Sequence, residues 1–96
     1  MSLLKTPSHP GEVLALLYLE PLEMSAIALS RALHVPRTRV ERLVKGETAL
    51  TVDTALRLAK YFGTTPEYWM NLQRAWELAR AQETTDVSQI TPLAAA

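Results

Sequence analysis

From Pro10 onward, apolar residues recur at three- and four-residue spacing in five runs, each bounded by residues that start or stop helices. The first run predicts a helix from Pro10, whose missing N–H does no harm in a first turn, to about Glu20, ahead of Pro21. Val13, Leu14, Leu17 and Tyr18, or a close subset of them, are expected on its inner face. Ser25 suits the N-cap of a second helix, with Ile27, Leu29, Ala32 and Leu33 at its apolar positions. His34 and Val35 then make a turn. A third helix is expected over roughly residues 36–44, with Pro36 at its first positions and Gly46 placed to close it in a left-handed conformation. Thr51 caps a fourth, in which Val52, Ala55, Leu56, Ala59 and Phe62 follow the helical pattern and Gly63 is the stop. Thr65 and Pro66 open a fifth that continues to about Ala81. With no alternating run of β-branched residues, the fold class is all-α: a compact five-helix bundle with flexible termini.

The domain is expected over residues 9–81. Residues 1–8 lack periodicity and predict a flexible arm, and residues 82–96 turn polar and predict a loose tail. In that tail Val87, Ile90 and Leu93 recur every third residue, so an arm that docks on a partner is the alternative.

The second and third helices form a helix-turn-helix pattern. Leu29, Leu33, Val35, Val40 and Leu43 are expected to lock the two together, leaving Arg37, Thr38, Arg39, Glu41 and Arg42 facing out. Charge sharpens this reading. The chain has a formal net charge of zero, yet residues 31–45 hold Arg31, Arg37, Arg39, Arg42 and Lys45 against Glu41, a net +4. The rest is acidic by the same amount. DNA responds to the patch that meets its phosphates rather than to the total. An arginine fork in the first two turns of such a helix matches guanine O6 and N7, so Arg37, Thr38 and Arg42 are the candidate base readers, with Arg39 and Lys45 toward phosphate. The competing account is a solvated face held by Arg37–Glu41 and Glu41–Lys45 pairs.

The fifth helix carries Tyr68, Trp69, Leu72, Ala75, Trp76 and Ala79 in one stripe, with Met70, Leu78 and Ala81 outside it. That is more apolar surface than one neighbour covers, which predicts a homodimer interface through Trp69, Met70, Leu72, Trp76 and Leu78. For either tryptophan taken alone, the core of a small domain is the better account.

Composition removes other classes. A chain of 96 residues, 48% of them hydrophobic, supports one core. Zero cysteines exclude disulfides and thiolate zinc sites, and His9 and His34 stand too far apart to suggest a metal centre. His9 reads as a surface or capping residue, and His34 occupies a turn position where glycine fits most easily. No nucleophile with a base and no glycine-rich phosphate loop can be assembled, so neither an enzyme nor a cofactor is expected. No apolar run reaches the ~20 residues of a membrane span, and a cytoplasmic location is the expectation.

Taken together, His9-Pro10-Gly11-Glu12-Val13-Leu14, Pro21-Leu22, Ala55-Leu56-Arg57-Leu58-Ala59 and Phe62-Gly63-Thr64-Thr65-Pro66-Glu67-Tyr68-Trp69-Met70-Asn71-Leu72-Gln73 resemble the HigA-type antitoxins of the phage-repressor-like helix-turn-helix class. The likeness covers about residues 9–80. It implies a five-helix domain that dimerises, binds the operator of its own operon and neutralises a toxin encoded beside it, usually an mRNA-cleaving ribonuclease of RelE-like fold. By the resemblance, Arg37, Thr38 and Arg42 match base-contacting positions, Arg39 and Glu41 flank them, and Ser25 and Lys45 match places that approach phosphates. Ala26, His34 and Pro36 depart from the family pattern, which often has glutamine, glycine and a Ser or Thr cap at those places. Two other functions compete with the antitoxin. One is a stand-alone transcriptional regulator of the same fold; the other is a helical adaptor, which would not need the Arg37–Lys45 cluster.

Overall fold

The computed structural model describes residues 7–94, and the regular elements among them are all helical. The first helix, α1, begins as an α-helix over Pro10–Val13 and continues as a π-helix over Leu14–Leu19. It is followed by α2 (Ala26–Leu33), α3 (Arg37–Val44), α4 (Val52–Phe62) and α5 (Pro66–Thr84). The arm expected over residues 1–8 lies mostly outside the described residues. Beyond Thr84 the chain to residue 94 carries no helix and is exposed.

The caps foreseen from the sequence are in place. Ser25 Oγ accepts from Ala28 N at 3.0 Å, Thr51 Oγ1 from Thr54 N at 3.3 Å and Thr65 Oγ1 from Tyr68 N at 3.1 Å. Gly46 and Gly63 both take positive φ, 75° and 72°, where a side chain would be strained.

Four apolar positions turn outward instead. In α1 the π winding, marked by Glu20 N donating to Ala15 O at 2.9 Å, rotates the later residues away from a 3.6-residue register. Leu19 therefore enters the core and Leu17 is 53% exposed. In α4 the inner stripe is Thr54, Ala55, Leu58 and Ala59; Val52 and Leu56, one turn apart on the other face, are exposed. Ile27 on α2 is also exposed. The fifth helix runs three residues past its expected end, to Thr84.

The core gathers Leu14 and Leu19 of α1, Leu29 and Leu33 of α2, Val40 and Leu43 of α3, Leu50, and Ala55 and Leu58 of α4 around Trp69 of α5. Trp69 is wholly buried. Its Nε1 donates to Thr64 Oγ1 at 2.8 Å, and the rings of Tyr18 and Tyr68 lie 5.1 and 5.0 Å away. Burial, aided by the Tyr68 hydroxyl, pushes the Tyr18 phenol up to about 12. A polar side chain, Gln73, shares this interior. Gln73 Oε1 accepts from Leu50 N at 2.8 Å and its Nε2 donates to Glu77 at 2.8 Å, which ties the α3–α4 connection to α5.

The start of α1 seats the far end of α3. His9 caps α1 by accepting from Gly11 N at Nδ1, 2.9 Å, and it is buried rather than on the surface. Its ring meets Trp76 edge-on at 4.7 Å and lies beside Gly46. Gly11 approaches α3 so closely that a Cβ there would overlap the Leu43 carbonyl.

Candidate nucleic-acid interface

The turn between α2 and α3 is built as the helix-turn-helix reading requires. His34 ends α2 in the left-handed region (φ 59°, ψ 45°), so the position that favours glycine is held by a histidine. His34 N donates to Arg31 O at 3.2 Å and Val35 N to Ser30 O at 3.0 Å, which uses the last carbonyls of α2. Pro36 is the extended N-cap of α3 rather than its first helical residue. It offers no side-chain acceptor, so α3 begins with no side-chain cap.

Helix α3 then divides by burial. Val40 and Leu43 are buried, while Arg37, Thr38, Arg39, Arg42 and Lys45 are exposed and Glu41 is half-buried. The structure therefore brings the candidate base readers to one outward face. Beside them a groove of about 360 Å³ opens between α3 and the start of α4, lined by Thr38, Arg39, Arg42, Thr48 and Thr51 among others. Ser25 is exposed at the start of α2, its hydroxyl engaged as the cap.

The cations on this face differ in what holds them. Arg37 Nε pairs with Glu41 at 3.5 Å, the i,i+4 contact that the solvated-face account expects. Arg39 pairs through Nη1 with Asp53 on α4, and Asp53 Oδ2 also accepts from Arg57 Nε at 2.9 Å. Arg57 Nη1 reaches on to Leu33 O at 2.8 Å and His34 O at 3.4 Å. The two guanidiniums, Arg57 first and then Arg39, hold the Asp53 carboxyl below the usual carboxylate range. Thr38, Arg42 and Lys45 make no side-chain hydrogen bond or ion pair among the described residues. Sequence reasoning passed over Asp53 and Arg57. Their i,i+4 spacing on α4 was a readable signal for that pair, but only the fold shows that it reaches α2 and α3.

The outer side of α5 is a second candidate surface. Leu78 is 56% exposed, Met70, Leu72 and Trp76 are half-buried, and a trough of about 350 Å³ runs past Met70, Gln73, Arg74, Glu77, Leu78 and Ala81. Trp69 is taken up whole by the chain's own core and presents no surface. Trp76 packs on His9, with Arg80 over its ring at 5.0 Å. No helix among the described residues is long and apolar enough to cross a membrane.

Comparison with known proteins matches residues 17–69 to a family described as helix-turn-helix. Among curated relatives, virulence-associated protein I of Dichelobacter nodosus is 44% identical over 86 residues, which are 88% of this chain and 80% of that protein. Among solved structures, an addiction module antidote protein of a HigA family from Coxiella burnetii is 43% identical. It covers 91% of this chain and 98% of its own, with a TM-score of 0.85. Antitoxin HigA of Pseudomonas aeruginosa, solved with the higBA promoter, is 37% identical over 92% of this chain and 99% of its own, with a TM-score of 0.84.

Proposed function

We propose a function on one premise: the chain belongs to the helix-turn-helix family and is of the HigA antitoxin type. It binds operator DNA as a homodimer, represses its own operon and neutralises a RelE-like mRNA-cleaving toxin. The observation that carries this is the outward face of α3, where Arg42, Thr38 and Lys45 stand without side-chain partners among the described residues on a helix whose back is locked into the core. The similar HigA of Pseudomonas aeruginosa, solved with promoter DNA, supports it.

Arg37, Thr38 and Arg42 read bases, while Arg39, Lys45 and Ser25 act toward phosphate and Glu41 flanks the site. Binding measured over a salt series tests this. Arg42→Ala should cost about 1–3 kcal/mol on the operator and relax base preference, whereas Lys45→Ala should weaken all duplexes alike and flatten the salt dependence by about one unit. An Arg42→Ala protein with unchanged affinity and selectivity would remove α3 as the reader.

Dimerisation uses the exposed side of α5 around Met70, Leu72, Trp76 and Leu78, and sets two copies of the short α3 on half-sites ~34 Å apart or a multiple of it. Sedimentation of a Met70→Glu, Leu78→Glu double variant should show a monomer. The toxin meets an acidic surface other than α3. Glu12, Glu20, Glu23, Glu67 and Glu77 lie outside the basic segment, and a ribonuclease that must hold RNA is cationic. Co-expression with the adjacent reading frame should rescue growth and yield a complex that still shifts operator DNA. A harmless neighbour would make the chain a stand-alone repressor.

A further inference from the structure

We infer that Asp53 is an internal counter-ion that competes with the DNA backbone for Arg39, and that Arg57 is the positioning residue that keeps Asp53 in place. The inference rests on the DNA-binding reading above and adds to it a device that limits attraction to phosphate.

Asp53 lies in the first turn of α4, where the helix dipole favours a carboxylate. One oxygen, Oδ2, serves both Arg57 Nε on its own helix and Arg39 Nη1 on α3. Arg57 donates from Nη1 to Leu33 O and His34 O, so a single guanidinium joins the end of α2 to α4, and Asp53 passes that hold to α3. The side chains of Arg39 and Asp53 are 42% and 53% exposed, which leaves the pair wet and within reach of a phosphate. A pair of this kind is weak enough to be exchanged. The exchange, however, yields less than a contact from a cation with no ion pair among the described residues, such as Arg42, because the Asp53 charge is left behind near the DNA. Non-specific binding depends almost wholly on phosphate contacts, whereas base contacts carry sequence choice. Occupying Arg39 from within therefore lowers attraction to any duplex more than it lowers recognition of the right one.

The test compares wild type, Asp53→Asn, Arg39→Gln and the double variant. Each is titrated with a duplex from upstream of the chain's own gene and with a scrambled duplex of the same length, over a salt series. Asp53→Asn should bind the scrambled duplex severalfold more tightly at low salt, with a log–log salt slope steeper by ~0.9, and the preference for the upstream duplex should shrink. In the Arg39→Gln background the same change should leave the slope unaltered. An unchanged slope in Asp53→Asn overturns the inference. So does an undiminished effect without Arg39, which would mean that Asp53 simply repels DNA. If wild type binds neither duplex, the DNA-binding reading itself fails, which separates the two outcomes. For Arg57, the readout is the Asp53 carboxyl titration followed by NMR in the free protein. In Arg57→Gln it should return toward the ordinary carboxylate range with the helical spectrum intact, and a titration identical to wild type would remove Arg57 from its positioning role.

Discussion

At its C-terminal end α3 is gripped by buried groups, the Leu43 carbonyl against Gly11 and the Gly46 turn against the His9 ring; at its N-terminal end it is tied by exposed charges, Arg39 to Asp53 to Arg57. The first attachment works by shape and is indifferent to salt. The second works by charge in water and is screened within ~10 Å at 0.1 M salt. Helix α3 is thus held by shape at its C-terminal end and by exposed charge at its N-terminal end.

The sharpest way to break this contrast is Gly11→Ala. The added methyl meets backbone rather than a movable side chain, so the expected loss is at or above the upper end of the ~1–3 kcal/mol typical of overpacking. In a domain this small that lowers Tm by more than ~10 °C, read by calorimetry. A protein that melted like wild type would show that α1 can slide along α3 and that the buried grip is soft.

Next comes acid. Burial lowers the His9 pKa from 6.5, and the bond to the Thr48 backbone and the Glu12 charge only partly oppose this. The unfolded chain then binds a proton more readily than the folded one, so His9's contribution is complete above pH 6.5 and is lost as pH falls below it. His9→Asn keeps a capping side chain that does not titrate. It should flatten the Tm profile between about pH 7.5 and 5.5, with a cost at neutral pH within the ~0.5–2 kcal/mol range of cap changes. A slope equal to wild type would place the acid sensitivity elsewhere.

The smallest effect on stability belongs to the charged end. Asp53→Asn should shift Tm less than either change at the buried end, and raising salt to about 1 M should bring variant and wild type together. If the difference survived high salt, the tie would owe its strength to something other than charge.

The two ends also differ in how far the sequence discloses them. The caps Ser25, Thr51 and Thr65, the stops Gly46 and Gly63, and the inward Val40 and Leu43 follow from local chemistry, and they sufficed to place five helices and the outward basic face. Leu17 defeated the reading because a 3.6-residue period assumes α-winding, and nothing in Leu14–Leu19 announces the wider turn. Gln73 and His9 were unreadable as buried groups for another reason. Each is polar, and its burial depends on a partner far away in sequence, Leu50 N for Gln73 and the α3–α5 junction for His9. Asp53 and Arg57 could be paired by spacing, but their reach to Leu33 O and Arg39 exists only once α2, α3 and α4 are folded together. Charge on α3 is written in consecutive letters; what tempers that charge is not.

The placement of the two tryptophans gives the chain a pair of optical reporters with separate addresses. Trp69, sealed in the core, should emit as an apolar-shielded indole and shift only when the whole domain opens. Trp76, with the His9 ring against its edge and Arg80 over its face, looks onto the joint between α1 and the end of α3. Single-tryptophan variants would therefore let one emission follow global melting while the other follows the seating of α3, without a label attached anywhere on the exposed face of that helix.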